Sequence, residues 1–329
     1  MKVAIVILNW NGKKLLEQFL PSVIEYSKEA MVYVADNASS DDSIDFVKVN
    51  FPSVKIIENK INRGYAKGYN DALKNLTEDI FCLLNNDIEV TKGWLTPILS
   101  TFEKEPNTAI IQPKILDYKR KDYFEYAGAA GGFIDKFGYP YCRGRIFNTI
   151  EKDLGQYNDI KDIFWASGAC LFIRNQVFKN LNGFDESFFA HMEEIDLCWR
   201  AKNLGYNVMY VGESEVYHVG GATLSYSNPK KTYLNFRNSL YALTKNAKGN
   251  LFLLIFTRLT LDGIAGVKFM FEFKFKHITA IIHAHYSFYS HLKMLLKQRK
   301  SLEKRKKYYI ITSIVLNYYV YKNRLYKSL

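Results

Sequence analysis

The first 90 residues alternate short apolar runs with helical patterns, and that alternation limits the chain to few folds. Val3–Leu8, Met31–Ala35, Val54–Ile57 and Ile80–Leu84 read as strands. Helical spacing of apolar residues covers Lys13–Tyr26, a stretch from about Asp41, and Tyr65–Leu76. A strand-helix alternation of this kind predicts an α/β fold, a nucleotide-binding sheet of Rossmann type covered by helices on both faces. Ligands of such sheets bind beyond the carboxyl ends of the strands. Polar residues cluster at those ends: Asn9 and Asn11, Asp36 and Asn37, then Asn85, Asn86 and Asp87. Asn and Asp are also ordinary turn formers and helix caps. Their recurrence at three strand ends favours a ligand edge.

Residues 110–160 are less regular and rich in Gly and Tyr, and read as loops and short strands on the acceptor side. Asp162–Ile173 reads as a buried strand entered through an exposed turn. A helix over Glu193–Leu204 and a strand over Val208–Val211 follow.

The stretch FFAHMEEIDLCWR, Phe188 to Arg200, places Glu193, Glu194 and Asp196 within four positions between aromatic residues. Carboxylates this close repel one another and lose solvation when buried, so the cluster is costly without a purpose. It suits a general base beside an aromatic wall formed by Phe188, Phe189 and Trp199. Its ordinary alternative is a solvated helix start, where acids are favoured.

Charge divides the chain. Residues 225–329 hold 20 Lys and Arg against 3 acids, a net +17, whereas residues 1–224 hold 25 against 30, a net −5. We therefore expect one domain over residues 1–224 and a basic, aromatic helical region over 225–329. In the latter, Leu251–Met270 is apolar but interrupted by Arg258, Asp262 and Lys268, which a bilayer-spanning helix tolerates poorly. Ile278–Leu296 and Tyr308–Tyr321 mix aromatics with Lys, Arg and His. Such helices lie in a membrane interface, and anionic lipid would attract Lys297–Lys307. The alternative is a basic helical subdomain packed on the core. No nucleic-acid motif accompanies the charge. Cys82, Cys142, Cys170 and Cys198 form no CxxC pair and suggest neither zinc nor a disulfide framework, but reduced thiols in the cytosol.

Asp87 at a strand end offers a hard oxygen ligand for Mg2+ or Mn2+ bridging phosphates, and His218, before Gly220-Gly221, could complete that site. Each has a bland alternative, a helix cap and a structural histidine. Trp165, Ser167 and Gly168, with Asp185 nearby, could line an acceptor site, though Trp165 would serve equally as core filler.

The ordered set VAIVILNWNG, VADNASSDDS, NRGYAKGYN, LLNNDIEV, WASGACLFIR, GFDESFFAHMEEIDLCWR and HVGGATL resembles the family 2 glycosyltransferases of GT-A fold, in particular a bacterial rhamnosyltransferase-like branch. The matches span residues 3–224. The resemblance implies an inverting enzyme that moves a sugar from a nucleoside-diphosphate donor, dTDP- or UDP-linked and rhamnose among the candidates, to a cell-surface or polyprenyl-linked glycan. It implies base recognition by Asp36 with Asn9 and Arg63, and further donor contacts from Asn11, Asn37 and Asn86. It sets Asp87 in the place of the family's metal-binding DxD aspartate and the base in Glu193-Glu194. Two departures stand out: the DxD is NND, and the family's Glu-Asp is Glu-Glu, with Glu194 aligned to the base. Peripheral attachment to the cytoplasmic membrane face is the expected location; a homodimer remains open. A sugar-nucleotide pyrophosphorylase would need a Gly-rich phosphate loop where Asn9-Trp10-Asn11-Gly12 stands. A catalytically silent glycan-binding protein is the rival from outside the enzymes.

Overall fold

In a computed structural model of the protein, residues 1–220, 228–303 and 307–329 are described. The expected boundary at 224, the GATL of HVGGATL and residues 304–306 of the basic run lie outside the described residues.

The chain runs β1 (Val3–Asn9), α1 (Lys13–Tyr26), β2 (Ala30–Asp36), α2 (Ser43–Asn50), β3 (Lys55–Glu58), α3 (Gly64–Leu73), β4 (Ile80–Asn85), β5 (Ile88–Val90), α4 (Leu95–Lys104) and β6 (Thr108–Asp117). Short strands follow: β7 (Gly132–Ile134), β8 (Pro140–Cys142), β9 (Arg145–Ile146), β10 (Thr149–Ile150) and β11 (Ile160–Asp162). Then come β12 (Cys170–Arg174), α5 (Asn175–Asn180), α6 (Glu193–Asn203) and β13 (Asn207–His218). Four helices close the chain: α7 (Pro229–Asn246), α8 (Leu251–Phe271), α9 (Phe275–Ser301) and α10 (Ile314–Tyr319).

The main sheet has the order β11-β13-β6-β12-β4-β1-β2-β3, with β5 paired to β13. Its β4-β1-β2-β3 half is parallel, and β12 runs antiparallel between β4 and β6. Strand β1 shows why these strands read as unbroken apolar runs. Ala4 and Val6 enter the core on one face, while Val3, Ile5 and Ile7 enter the core on the other. A strand buried on both faces has no polar side to alternate with.

Three expectations change. The Gly- and Tyr-rich region opens with β6, a ten-residue strand inside the sheet between β13 and β12, before its loops and the small sheet β10-β9-β8-β7. The strand expected over Asp162–Ile173 is divided between β11 and β12, so Trp165 to Gly168 lie in a connection rather than in the sheet. Of Tyr308–Tyr321 only α10 is helical, and Tyr308 is buried with its ring 4.7 Å from that of Trp199.

Helix α7 packs against α6 and α9 and is part of this framework. Among the described residues no helix is long and apolar enough to cross a membrane.

Candidate active site

Parallel register sets the polar edge at the carboxyl ends of the strands. Asn9 pairs with Asp36 across β1 and β2, and Asn85 sits opposite Leu8 across β1 and β4. Asn9 Nδ2 donates to Asp36 Oδ1 at 3.3 Å, and Asn9 Oδ1 accepts from Asn86 Nδ2 at 2.9 Å. Asp36 Oδ2 accepts from the Ser39 amide at 2.8 Å. Asn37 donates through Nδ2 to Asn62 Oδ1 at 2.9 Å and so holds the loop that leads into α3. Asn11 lies at φ +50°, and its Oδ1 accepts from the Ser40 amide at 2.7 Å. A Cβ at Gly12 would stand 2.3 Å from both Asn9 Oδ1 and Asn86 Nδ2, so only glycine lets this network close. Arg63 is exposed just ahead of α3. Asn9, Asp36, Asn37 and Asn86 are thus brought together, with Asn11 holding the adjacent turn.

The second cluster forms because β5 pairs with the end of β13, setting His218 against Ile88, the residue after Asp87. His218 Nε2 is 3.1 Å from Asp87 Oδ1, and its Nδ1 is 3.2 Å from Glu125 Oε2, outside good hydrogen-bond alignment. All three side chains are buried. Burial alone would lower the His218 pKa, but the carboxylates of Asp87 and Glu125 outweigh it and push it up to about 10. Asn85 Nδ2 also lies 3.4 Å from Nε2. Adjacent ligands of an octahedral ion at 2.0–2.1 Å stand about 3 Å apart. The 3.1 Å Asp87–His218 contact is an ion pair, so the two could share a divalent cation only once the imidazole gives up its proton, and among the described residues no group of three or more His, Cys, Asp or Glu is placed to hold a metal. Glu125 had no signal in the sequence, being one acid in an irregular aromatic stretch.

The acid pair opens α6 after an unusual turn. Phe189, His191 and Met192 have φ of +64°, +68° and +71°, all in the region favoured by glycine. The Ala190 amide donates to the Phe188 carbonyl at 2.8 Å, closing a γ-turn of the rare positive-φ kind at Phe189. Strain of this type persists only where the surroundings over-determine it. Here the Tyr65 amide donates to the Phe189 carbonyl at 2.9 Å, and Asn238 Nδ2 donates to the carbonyls of Phe188, Ala190 and His191 at 2.7–3.0 Å. Arg237 Nη2 adds bonds to the carbonyls of Ser187 and Phe188 at 3.1 and 2.9 Å.

Glu193 is buried and Glu194 keeps partial exposure, yet the Oε2 atoms of both are enclosed without a hydrogen-bond partner. Burial pushes the Glu193 carboxyl well up, and the neighbouring Glu194 adds to it. Burial also raises Glu194, to about 7, against backbone amides at the helix start that favour its charge. The pair shares its titration. Its less buried member, Glu194, ionises first. Tyr65, whose hydroxyl donates to the Gly168 carbonyl at 2.7 Å, feels both glutamates. Tyr65 thereby ties Gly168 to the loop carrying the acids.

The expected aromatic wall is mostly core. Trp199 and Phe188 are fully buried, and only Phe189 faces solvent. Trp165 is buried against Gly132, its indole nitrogen donating to the Phe133 carbonyl at 2.8 Å. Ser167 Oγ donates to the Ala127 carbonyl. Asp185 pairs with Lys245 Nζ at 2.6 Å and accepts from Gln298 and the Ser187 amide, so both its oxygens are engaged. Burial opposes its charge, but Lys245 holds it down at about 2. Arg237 and Asn238, which anchor the acid-bearing loop, gave no sign in the sequence beyond a polar pair in a helix.

The sequence profile described as Glycosyl transferase family 2 matches residues 4–181. The chain is 26% identical over 233 residues to the N-acetylglucosaminyl-diphospho-decaprenol L-rhamnosyltransferase of Mycobacterium tuberculosis, covering 65% of this chain and 75% of that protein. It is 24% identical over 290 residues to the low-salt glycan biosynthesis hexosyltransferase Agl10 of Haloferax volcanii, covering 85% and 88%. Among solved structures, GalNAc-T7 with UDP, GalNAc and Mn2+ aligns at a TM-score of 0.59 and 16% identity, over 74% of this chain and 48% of that one. The mannosyltransferase of Pyrobaculum calidifontis with GDP-Man and Mn2+ aligns at 0.54 and 13%, over 91% and 73%. At these identities the structural likeness speaks for the GT-A fold.

Proposed function

The chain belongs to glycosyl transferase family 2, a glycosyltransferase of GT-A fold, and from that premise we propose an inverting, metal-dependent transfer to a lipid-linked glycan. The observation that carries the reading is the Glu193-Glu194 pair, set at the start of α6 by the strained turn before it, with its carboxyls raised by burial.

In the proposed step, an acceptor hydroxyl attacks the anomeric carbon of the donor sugar. Glu194 Oε takes the hydroxyl proton as the new C–O bond forms. The bond from the anomeric carbon to the phosphate oxygen breaks, and the nucleoside diphosphate leaves with the electron pair. Mn2+ or Mg2+ held by Asp87 and His218 would neutralise the charge that gathers on that diphosphate. Asn9, Asp36 and Asn37 support the nucleoside end, with Arg63 at its exposed margin. A single base acting opposite the leaving group inverts the anomeric centre. Retention by double displacement would need a carboxylate nucleophile on the other sugar face.

Ser167 and Gly168, joined to the acid loop through Tyr65, mark the acceptor side. The relatives support the acceptor class: the Mycobacterium enzyme is named for a diphospho-decaprenol acceptor, and the Haloferax one for glycan biosynthesis. A dTDP- or UDP-sugar is the favoured donor, rhamnose among the candidates. The catalytic unit would extend beyond residue 224 through α7, because Arg237 and Asn238 hold the acid loop.

Thermal shift with UDP, dTDP and GDP, each with and without Mn2+, tests the donor site. One nucleotide should raise the melting temperature in a metal-dependent way, and Asp87→Ala or His218→Ala should remove the metal-dependent part. Nucleotide binding that ignores both metal and these substitutions would end the metal assignment.

A further inference from the structure

Helix α8 is turned inside out relative to a helix on a water-soluble surface. Two of its three charges point inward. Arg258 and Asp262, 2% and 0% exposed, pair at 2.8 Å between Nε and Oδ1. Arg258 Nη1 donates to the carbonyls of Phe137 and Gly138 at 3.2 Å, and the Tyr139 hydroxyl donates to Asp262 Oδ1 at 2.8 Å. His285 Nε2 of α9 lies 3.3 Å from the other carboxylate oxygen. These two charges, which break the apolar run in the sequence, are thus consumed by the fold.

What remains outside is apolar. Phe252, Phe256, Ile264, Val267 and Phe271 are 50–79% exposed and recur at helical spacing. They form one stripe along the whole helix, about 30 Å at 1.5 Å per residue. Thr260 and Gly263 fill the stripe without charge. Lys268, at the end of the helix, is the charged residue exposed on α8. Past the tip, Phe273 and Phe275, 81% and 58% exposed, alternate with exposed Lys274 and Lys276. Glu272 is neutralised there by Lys274 at 2.7 Å.

We propose that this face of α8, with the tip joining it to α9, lies in the interface of an anionic lipid bilayer, the helix axis along the membrane plane. An exposed apolar patch of this length marks an interaction surface. The pattern of apolar stripe, aromatic tip and flanking lysines matches an interfacial helix, whose lysine stems reach back to lipid phosphates. Charge selects the occupant. The exposed charges along this face and its tip are Lys268, Lys274 and Lys276 against Glu272, a net positive border, so two copies meeting through it would repel, whereas anionic lipid is drawn to it. The attachment is through inserted apolar side chains rather than through the basic run Lys297–Lys307 alone. It stands independently of the acid and metal pairs.

Flotation of the full chain with phosphatidylglycerol-containing vesicles and with pure phosphatidylcholine vesicles, at low and high salt, tests this. Ile264→Glu and Phe271→Glu each add a charge to the stripe, and Val49→Glu, at a 79% exposed site on α2, is the control. The wild type should float with anionic vesicles and stay bound in high salt. Each α8 substitution should lower partitioning at least about tenfold at an unchanged melting temperature, and the control should not. Flotation of both α8 variants like the wild type would overturn the proposal. So would a wild type that ignores vesicles and sediments as a dimer that Ile264→Glu dissociates.

Discussion

At the scale of single residues, Glu194 ties the proposed chemistry to pH. A base must be ionised, so turnover should rise with pH through a midpoint near 7, the value to which burial lifts this carboxyl. Stability should move the other way. The folded carboxyl titrates above its ordinary 4.5, so folding favours the protonated form. Its contribution is fully present below about 4.5 and is lost as the pH rises through about 7. Glu194→Gln keeps the shape and removes the charge. It should abolish turnover, leave nucleotide binding intact, and stabilise the protein above pH 7 by about 1–3 kcal/mol. Melting curves across pH, read beside turnover, check both signs. Loss of turnover in Glu193→Gln with an active Glu194→Gln would move the base by one residue. The sequence identified the pair; choosing between the two needed their unequal burial, which depends on what packs over the start of α6.

At the scale of elements, α7 is the buttress of the acid-bearing loop. Its Asn238 amide reaches three carbonyls of a segment with three side-chain residues at positive φ. Below it on the same helix, Lys245 pairs with Asp185 and Asp196, and Asn246 donates to Asp196 at 2.7 Å. Asn238→Ala should relax the loop and displace the acids. We expect kcat to fall about 10- to 100-fold with KM for the donor little changed, at a stability cost of about 1–3 kcal/mol. Equal loss of nucleotide binding would show a general folding defect instead. Steady-state kinetics beside thermal shift separate the two. None of this was legible from composition, which grouped α7 with the basic rear of the chain. A charge count registers side chains; it is blind to which of them bond to a distant loop.

At the scale of the molecule, the rear of the chain both exposes an apolar face and closes the core. Tyr326 packs against Phe133 at 5.4 Å, and the Ile314 amide donates to Asp135 Oδ2 at 2.9 Å. Arg299 of α9 donates to the carbonyls of Thr244 and Ala247 on the α7 side. Removing residues 250–329 should therefore yield an aggregating or unstable remainder rather than a soluble enzyme. Expression followed by size-exclusion chromatography decides it. A monodisperse, nucleotide-binding truncation would show the front domain to be self-sufficient. The sequence by itself determined the strand-helix alternation, the strand-end Asn and Asp residues, and the acid pair. These are local: periodicity, propensity and short spacing act within a few residues along the chain. Only the tertiary structure decided that Glu125 flanks His218, that Trp165 and Trp199 are core, and that Arg258 and Asp262 turn inward. Each of those depends on contacts between segments tens of residues or more apart, where burial and pairing override the local pattern. The membrane-like look of Leu251–Met270 shows the limit most plainly. Its charges read as interruptions in the sequence, yet folding pairs two of them inside and leaves the apolar side to the surface.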